Sequence, residues 1–200
     1  MAQTKKEGVR DSILEAAFRQ FSERGYLDTS IPAIAREAGI STANVYVYFK
    51  SKLEILYTLY EPWLTERLDK LDRSLRAVKD PRERFQRLLT ALWRDLPREN
   101  NGFANNVMQA LSTTSGGEGE GYSPKLRELF QTRVAQWIED CLPIPRQASI
   151  QLAGVLLMAF DGYAMNAHLS NGVACDAGTL RLLRDLLTGR SGIEFPPLAA

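Results

Sequence analysis

The sequence predicts an all-α protein of about nine helices. Apolar residues recur at the three-to-four-residue spacing of a helix along almost the whole chain, and no segment alternates convincingly as a strand. Serine, threonine and aspartate stand where helices would begin, and glycine or proline where they would end. Together these two patterns divide the chain into helices joined by short turns.

The three N-terminal helices are predicted at residues 8–24, 31–38 and 42–49. Gly25 and Gly39 end the first two, since glycine readily adopts the left-handed conformation found after a helix. A hydroxyl residue precedes each of the other two starts: Thr29 or Ser30 for the second helix and Ser41 for the third. We therefore expect two short helices that follow a longer one.

Six more helices follow, and the residues that mark their starts and ends are less distinct. The fourth begins near Lys52, and Pro62 predicts either a kink near Thr58 or a short break in it. Asp80 and Pro81 open a fifth helix, as cap and first-turn proline, and Pro97 should end it near residue 96. The remaining helices are expected at residues 103–112, from 123–124 to the PIP segment at 143–145, at 146–169 and, after a cap at Asp176, over the last leucine-rich stretch.

Composition excludes several classes of protein. The 200 residues are 44% hydrophobic and 24% charged, with a formal net charge of +1, which is typical of a globular protein and neutral on nucleic-acid binding. The longest apolar stretch, residues 152–160, is too short for the roughly 20 residues that cross a bilayer. Because the N-terminus also lacks the apolar core of a signal peptide, we expect a cytoplasmic protein without membrane contact.

Nothing in the sequence indicates catalysis. With one histidine, His168, a histidine-based metal site is not available, and neither a catalytic triad nor a dinucleotide motif is present. The glycine-rich segment 116–123 lacks the lysine of a phosphate loop. Cys141 continues an apolar helical face, and Cys175 lies in a predicted loop. We expect no enzyme activity, no cofactor and no metal.

The informative segment is residues 10–56. Its second and third helices meet through the tight turn Ala38-Gly39-Ile40-Ser41, and the small Ala35 lets them approach closely. This is the geometry of a helix-turn-helix, whose second helix enters the major groove of DNA. The spacing of all these elements predicts a DNA-binding domain.

The same segment resembles the tetracycline-repressor (TetR) family of regulators, most closely in the run AGIS…VYVYFKSK. The matching residues are Ile13, Ala16, Ala17, Phe21, Gly25, Thr29, Ile34, Ala35, Ala38, Gly39, Ser41, Tyr46, Tyr48, Phe49, Lys52 and Leu56. The resemblance implies a DNA-binding domain at residues 1–52 and an effector-binding and dimerisation domain at 53–200. Many members carry a Lys-Gly-Thr type triplet where this chain has Thr42-Ala43-Asn44. The operator sequences of those members therefore cannot be assigned to this chain.

Position on the third helix assigns the DNA contacts. Thr42, Ala43 and Asn44 occupy its exposed start and should meet base edges, with Asn44 able to bond an adenine through two hydrogen bonds. Phosphate contacts are expected from hydroxyl groups and one ammonium group near the helix starts. These phosphate-contacting residues are Ser30, Ser41, Tyr46, Tyr48 and Lys52.

Contacts in the second domain are less specific. The resemblance implies an effector pocket, and large residues on inward faces are candidates for its lining or for plain core: Trp63, Trp93, Phe103, Met108, Trp137 and Phe160. Asn105, Gln109 and Asn166 are candidate polar anchors. The eighth helix is apolar on too many sides for a monomer surface, which favours a homodimer. Its predicted interface is Leu156, Ala159, Tyr163, Leu183 and Leu186.

These observations predict a transcriptional regulator that is a homodimer. We expect it to bind a palindromic double-stranded DNA operator and to act as a repressor that a small-molecule effector, apolar or aromatic, releases. The alternative keeps the DNA-binding domain but makes the helical body a surface for a protein partner. An open pocket would favour the effector, and a tightly filled core the protein partner.

Overall fold

The computed structural model describes residues 2–98, 103–113, 125–167 and 175–189. Within these ranges all regular structure is helical, in nine helices, and no helix is long and apolar enough to cross a membrane. The helices are α1 (Ala2–Asp28), α2 (Ile31–Glu37), α3 (Thr42–Tyr48), α4 (Lys52–Arg76), α5 (Pro81–Thr90, continued by a π-helical turn Ala91–Asp95 and a last turn Leu96–Arg98), α6 (Phe103–Thr113), α7 (Lys125–Glu139), α8 (Arg146–Ala167) and α9 (Ala177–Leu187). The all-α prediction is confirmed.

The caps predicted for α3 and α9 agree with the structure, but α1 covers Ala2–Asp28 instead of residues 8–24, and Gly25 kinks it instead of ending it. Gly25 and Gly39 both have positive φ, at 79° and 70°. Ser41 caps α3, and Asp176 caps α9 by accepting a 2.7 Å bond from the Thr179 amide. These ends depend on neighbours within four residues, which a sequence displays directly.

Two prolines behave differently from the prediction. The helix α4 continues through Pro62, so the short break expected as one alternative does not occur. The prediction that Pro97 ends the fifth helix is wrong, because Leu96–Arg98 remains helical. The π-helical turn immediately before it changes the hydrogen-bond spacing, with the Leu96 amide bonding the Ala91 carbonyl. Proline is tolerated there since the regular α-helical ladder has already been interrupted.

The chain forms two compact units. The first consists of Met1–Leu68 and Glu99–Leu129, and the second of Asp69–Arg98 and Phe130–Ala200. In the described part of the first unit, α1–α3 surround a core that includes Ile13, Phe21 and Ile34, all 0–1% exposed. In the second, α5 and α9 lie against each other. The functional boundary between residues 52 and 53 stays a prediction.

His168 and the glycine-rich segment 116–123 lie outside the described residues, as do the start of the seventh predicted helix and the end of the eighth. Of the cysteines, Cys141 is buried, as its place on an apolar face predicts, and Cys175 is half-buried. Burial raises the pKa of Cys141 to about 11. Its thiol is therefore protonated at neutral pH and serves as a small apolar side chain.

Candidate DNA-binding interface

The orientation of α3 is set by two residues four positions apart. Val45 is 0% exposed and Phe49 is 2% exposed, so this side of the helix faces the core of the first unit. The guanidinium of Arg10 lies 5.3 Å from the centre of the Phe49 ring. Burial of Val45 within α3 and of Phe49 just after its last residue turns the opposite face of the helix outward.

Hydroxyl groups hold the starts of α2 and α3. The Ser41 hydroxyl oxygen accepts a hydrogen bond from the Asn44 amide at 3.2 Å, and that of Ser30 accepts one from the Ala33 amide at 3.3 Å. Each bond satisfies a backbone donor that a helix start would otherwise leave open. Ser30, rather than the buried Thr29, is thus the cap of α2. A contact of either serine with phosphate stays a prediction.

The outward face of α3 carries the predicted base-contacting residues. Ala43 is exposed, and Thr42 and Asn44 are half-exposed. One turn later Tyr46 is 54% exposed, while Tyr48 is half-buried. Side chains able to bond bases and phosphates therefore lie close together, on a surface that the other described residues leave accessible. Their contacts with DNA stay predictions.

Lys52, a predicted phosphate contact, is held by the protein itself. Its ammonium donates to the carbonyls of Tyr26 at 2.6 Å and Thr29 at 2.7 Å, and lies 4.1 Å from the centre of the Tyr26 ring. Burial lowers the pKa of Lys52. Two of its three donors are thus used in joining the start of α4 to the end of α1. Nearby Lys50, by contrast, is exposed.

An acidic residue at the end of α2 is bound by α1. The Glu37 carboxylate accepts hydrogen bonds from Arg19 and Gln20, and these bonds lower the pKa of Glu37. They hold α2 against α1 and offset a negative charge that would repel a DNA backbone. Sequence reasoning did not single out this contact, whose partners are 17 and 18 residues apart.

A buried amide in α6 connects three helices of the first unit. The Asn106 amide nitrogen donates to the Phe21 carbonyl at 3.1 Å and to the Tyr60 hydroxyl oxygen at 3.0 Å, and Asn106 is 0% exposed. Close by, the Gln109 carbonyl oxygen accepts a 3.0 Å bond from the Leu27 amide. Of the candidate anchors, Gln109 binds the end of α1. Asn106 was not predicted, because the sequence alone does not distinguish it from the neighbouring asparagine, Asn105.

The predicted effector residues are spread over both units. Trp63 and Met108 are half-buried in the first. In the second, Trp93, Trp137 and Phe160 are buried, the Trp137 indole nitrogen donates to the Asp72 carboxylate at 2.9 Å, and Phe160 contacts the Phe130 ring edge-on. The side chain of Phe103 lies outside the described residues. A groove of about 770 Å³ in the second unit is lined by none of the six. Their role in effector binding stays a prediction.

The predicted dimer residues fall partly on an uncovered surface. Ala159 is exposed and Leu186 is 36% exposed, whereas Tyr163 and Leu183 are half-buried and Leu156 is only 3% exposed. The protomer's own core therefore encloses Leu156 and leaves little of it for a partner. Sequence reasoning missed more exposed apolar side chains on the same helices: Val155, Met158 and Leu182, at 54%, 60% and 51%.

The N-terminal segment has a family match. Residues 13–57 match the family described as bacterial regulatory proteins, tetR family. The HTH-type transcriptional regulator HbdR of Aromatoleum sp. (strain CIB) is 38% identical over 87 residues, which are 44% of this chain and 37% of that relative. The match thus spans less than half of the relative's length. The similarity to the tetR family of bacterial regulatory proteins thus concerns the N-terminal part of the chain.

Solved structures resemble the chain over nearly its whole length. One is the transcriptional regulator FadR of Bacillus subtilis in complex with stearoyl-CoA, with a TM-score of 0.64, 19% identity and coverage of 92% of this chain and 98% of that one. Another is the TetR-family repressor FadR of Thermus thermophilus in complex with lauroyl-CoA, with a TM-score of 0.65, 18% identity and coverage of 96% and 98%. At these identities the likeness concerns the fold.

Proposed function

We propose that the chain is a homodimeric transcriptional repressor that binds a palindromic operator through α3. One observation carries this proposal: a short helix is held by the buried Val45, and it leaves Ala43 exposed and Thr42 and Asn44 half-exposed at its start. A helix of this kind fits the major groove, where base edges display donors, acceptors and methyl groups. In this proposal, residues 1–52 bind DNA and residues 53–200 bind the effector and form the dimer.

Dimerisation through α8 and α9 is supported by their exposed apolar faces. Val155, Met158, Ala159 and Gly162 follow one another along α8 at helical spacing, and all are exposed. On α9, Leu182 and Leu186 do the same. Apolar stripes of this length are uncommon on a monomer surface. A second copy would cover them by a two-fold arrangement, in which each stripe serves both protomers.

The proposed effector is a fatty acyl-CoA. Two solved structures with this fold contain stearoyl-CoA and lauroyl-CoA, respectively. In this chain Trp63 is a half-buried candidate for contact with an acyl chain, and the Arg67 guanidinium lies 5.6 Å from the centre of its ring. The repressor would leave its operator when the acyl-CoA binds. A differential affinity of about 5–150-fold would be sufficient for such coupling.

Binding of the purified chain to the DNA upstream of its own gene tests the DNA-binding part. We expect nanomolar affinity that falls steeply with salt, because phosphate contacts release counterions. An Asn44→Ala/Tyr46→Ala variant, altered only at outward-facing residues of α3, should lose this affinity and keep the thermal unfolding temperature of the wild type. If the variant binds as tightly as the wild type, α3 is not the DNA-binding element.

The effector part is tested on the protein–DNA complex. Lauroyl-CoA and stearoyl-CoA should release the DNA at micromolar concentration, while coenzyme A and the free fatty acids should not. A Trp63→Ala variant should keep its DNA affinity and respond less. Retention of DNA in the presence of both acyl-CoA esters would contradict the proposed effector class and leave the DNA-binding proposal intact.

A further inference from the structure

One exposed side chain of α3 has no role in the proposal above. Val47 is 70% exposed, the largest value among the exposed large hydrophobic side chains of the described residues. Two residues earlier, Val45 is completely buried. Since Val47 gives almost no surface to the core, its isopropyl group is available for contact with another molecule.

Val47 continues the predicted base-contacting surface by one helical turn. It lies four residues after Ala43 and three after Asn44, and residues at these spacings are neighbours on the surface of a helix. Ala43 is exposed and Asn44 half-exposed. The outward face of α3 therefore carries an amide flanked by two apolar groups.

The surroundings of this face favour a polyanion as its partner. Residues 38–53 include Lys50 and Lys52 and contain no aspartate or glutamate, and the carboxylate of the next residue, Glu54, accepts a 2.6 Å hydrogen bond from the Lys50 amide. The acidic residue just before them, Glu37, is bound by Arg19 and Gln20. Because both flanking carboxylates are hydrogen-bonded within the protein, an apolar group in this segment fits the major groove of a duplex better than it fits an acidic protein surface.

We propose that Val47 is a specificity-determining residue that contacts the C5 methyl group of a thymine in each half-site of the operator. This inference rests on the proposed function. Thymine is the one base that presents a methyl group in the major groove, so an apolar side chain there selects thymine at its position. Removal of one buried methyl group should weaken binding about fourfold for each half-site, which corresponds to about 0.8 kcal/mol.

The test uses an operator obtained by selection from random DNA. Each thymine of one half-site is replaced in turn by deoxyuridine, which lacks the C5 methyl group and keeps the hydrogen-bonding edge of thymine. The affinity of the wild-type chain for each duplex is compared with that of Val47→Ala and of Val47→Ile. Since Val47 is exposed, both variants should fold, and their unfolding temperatures verify this.

We expect one thymine per half-site at which deoxyuridine weakens the wild type about fourfold and has almost no effect on Val47→Ala. Val47→Ile should behave like the wild type there. The salt dependence of binding should be the same for all three proteins, because Val47 contacts no phosphate.

Two other outcomes would overturn the inference about Val47, and only the second of them would also contradict the proposed function. If the wild type binds a selected site but Val47→Ala has the same deoxyuridine profile as the wild type, Val47 reads no thymine while the proposed function stands. If the wild type selects no sequence at all, the proposed function fails and this inference fails with it.

Discussion

The helices α3 and α8 each have one side that no other described residue covers, and these two sides differ in chemistry. The outward side of α3 mixes hydroxyl, amide and small apolar groups and is followed by Lys50 and Lys52. That of α8 is apolar, with Val155 and Met158 more than half exposed. A mixed surface beside cations fits the edges of bases between phosphates. A largely apolar surface of this kind fits another copy of itself.

The two helices also differ in the contacts that hold them in place. The seven-residue α3 depends on the Ser41 cap and on two buried residues, whereas α8 is 22 residues long and buries Ala153, Leu156, Leu157 and Phe160. A short helix has little packing of its own, so its position is set by a few contacts. Small changes there should therefore alter DNA binding, while α8 should tolerate changes until its exposed stripe is altered.

The largest expected effect follows a charge placed in the α8 stripe. Met158→Glu would bring carboxylates into an apolar interface, where burial of an unpaired charge is costly. The variant should be monomeric by analytical ultracentrifugation and should bind the operator at least about 100-fold more weakly, since two linked sites gain that much from avidity.

The matched control is Met158→Leu, which keeps the apolar surface and should remain dimeric with the operator affinity of the wild type. If Met158→Glu sediments as a dimer at the same concentration, the stripe on α8 is not the dimer interface.

The next effect concerns Gly25, where α1 is kinked. Its φ of 79° and ψ of 170° lie in a region that is essentially confined to glycine, and an added Cβ would be 2.9 Å from the Gln109 side-chain oxygen. Gly25→Ala should lower the free energy of unfolding by about 3 kcal/mol, measured by urea denaturation.

Gly8 provides the control, because a Cβ there meets no atom within 4 Å and the residue lies inside α1. Gly8→Ala should be neutral or stabilise the protein by up to about 1 kcal/mol. Equal losses in the two variants would contradict the local cause given for Gly25.

A third prediction concerns alkaline pH. Burial raises the pKa of Tyr60 to about 12, so the folded state favours its neutral form more strongly than the unfolded state does. The corresponding stability is complete below pH 10 and is lost as the pH rises toward 12, with a total on the order of 2 kcal/mol. Urea denaturation at several alkaline pH values measures it.

Tyr60→Phe removes the titrating hydroxyl and should show a shallower fall in stability over the same pH range, even though it starts lower from loss of the Asn106 hydrogen bond. Identical pH slopes for the variant and the wild type would show that other groups cause the alkaline loss.

The smallest expected effect concerns the cap of α3. Ser41→Ala removes the acceptor of the Asn44 amide and should cost about 1 kcal/mol of stability. Ser12→Ala is the control, since the Ser12 hydroxyl bonds only the Gly8 carbonyl within α1 among its described bonds and its loss should be neutral. Thermal unfolding measures both, and a loss in Ser12→Ala as large as in Ser41→Ala would refute the capping argument.

What could be predicted from the sequence is what neighbouring residues determine. Ser41, Asp80 and Asp176 cap helices within three residues of themselves, so their roles can be read along the chain. The continuation of α5 past Pro97 could not be read in this way, because it depends on a π-helical turn that no single residue type indicates. Local rules thus predicted the starts of the capped helices, but not the start of α1 at Ala2 or the end of α5.

In the candidate site, long-range contacts were the part that escaped prediction. The sequence pattern placed Lys52 near phosphates, yet its ammonium bonds the carbonyl of Tyr26, 26 residues away. The Asn106 amide bonds the Phe21 carbonyl across 85 residues. A sequence motif shows which residue types recur at a given spacing. It does not show which of these side chains form contacts within the protein instead of contacts with DNA.

The most direct test of the central claim is a selection of binding sites from random duplex DNA, carried out with the wild type and with Asn44→Ala. The wild type should select two half-sites about 10 base pairs apart, matching two recognition helices about 34 Å apart. The variant should select the same motif without its preference for adenine at one position in each half-site. A motif that is identical for the two proteins, or no motif for the wild type, would contradict the claim that α3 reads the operator.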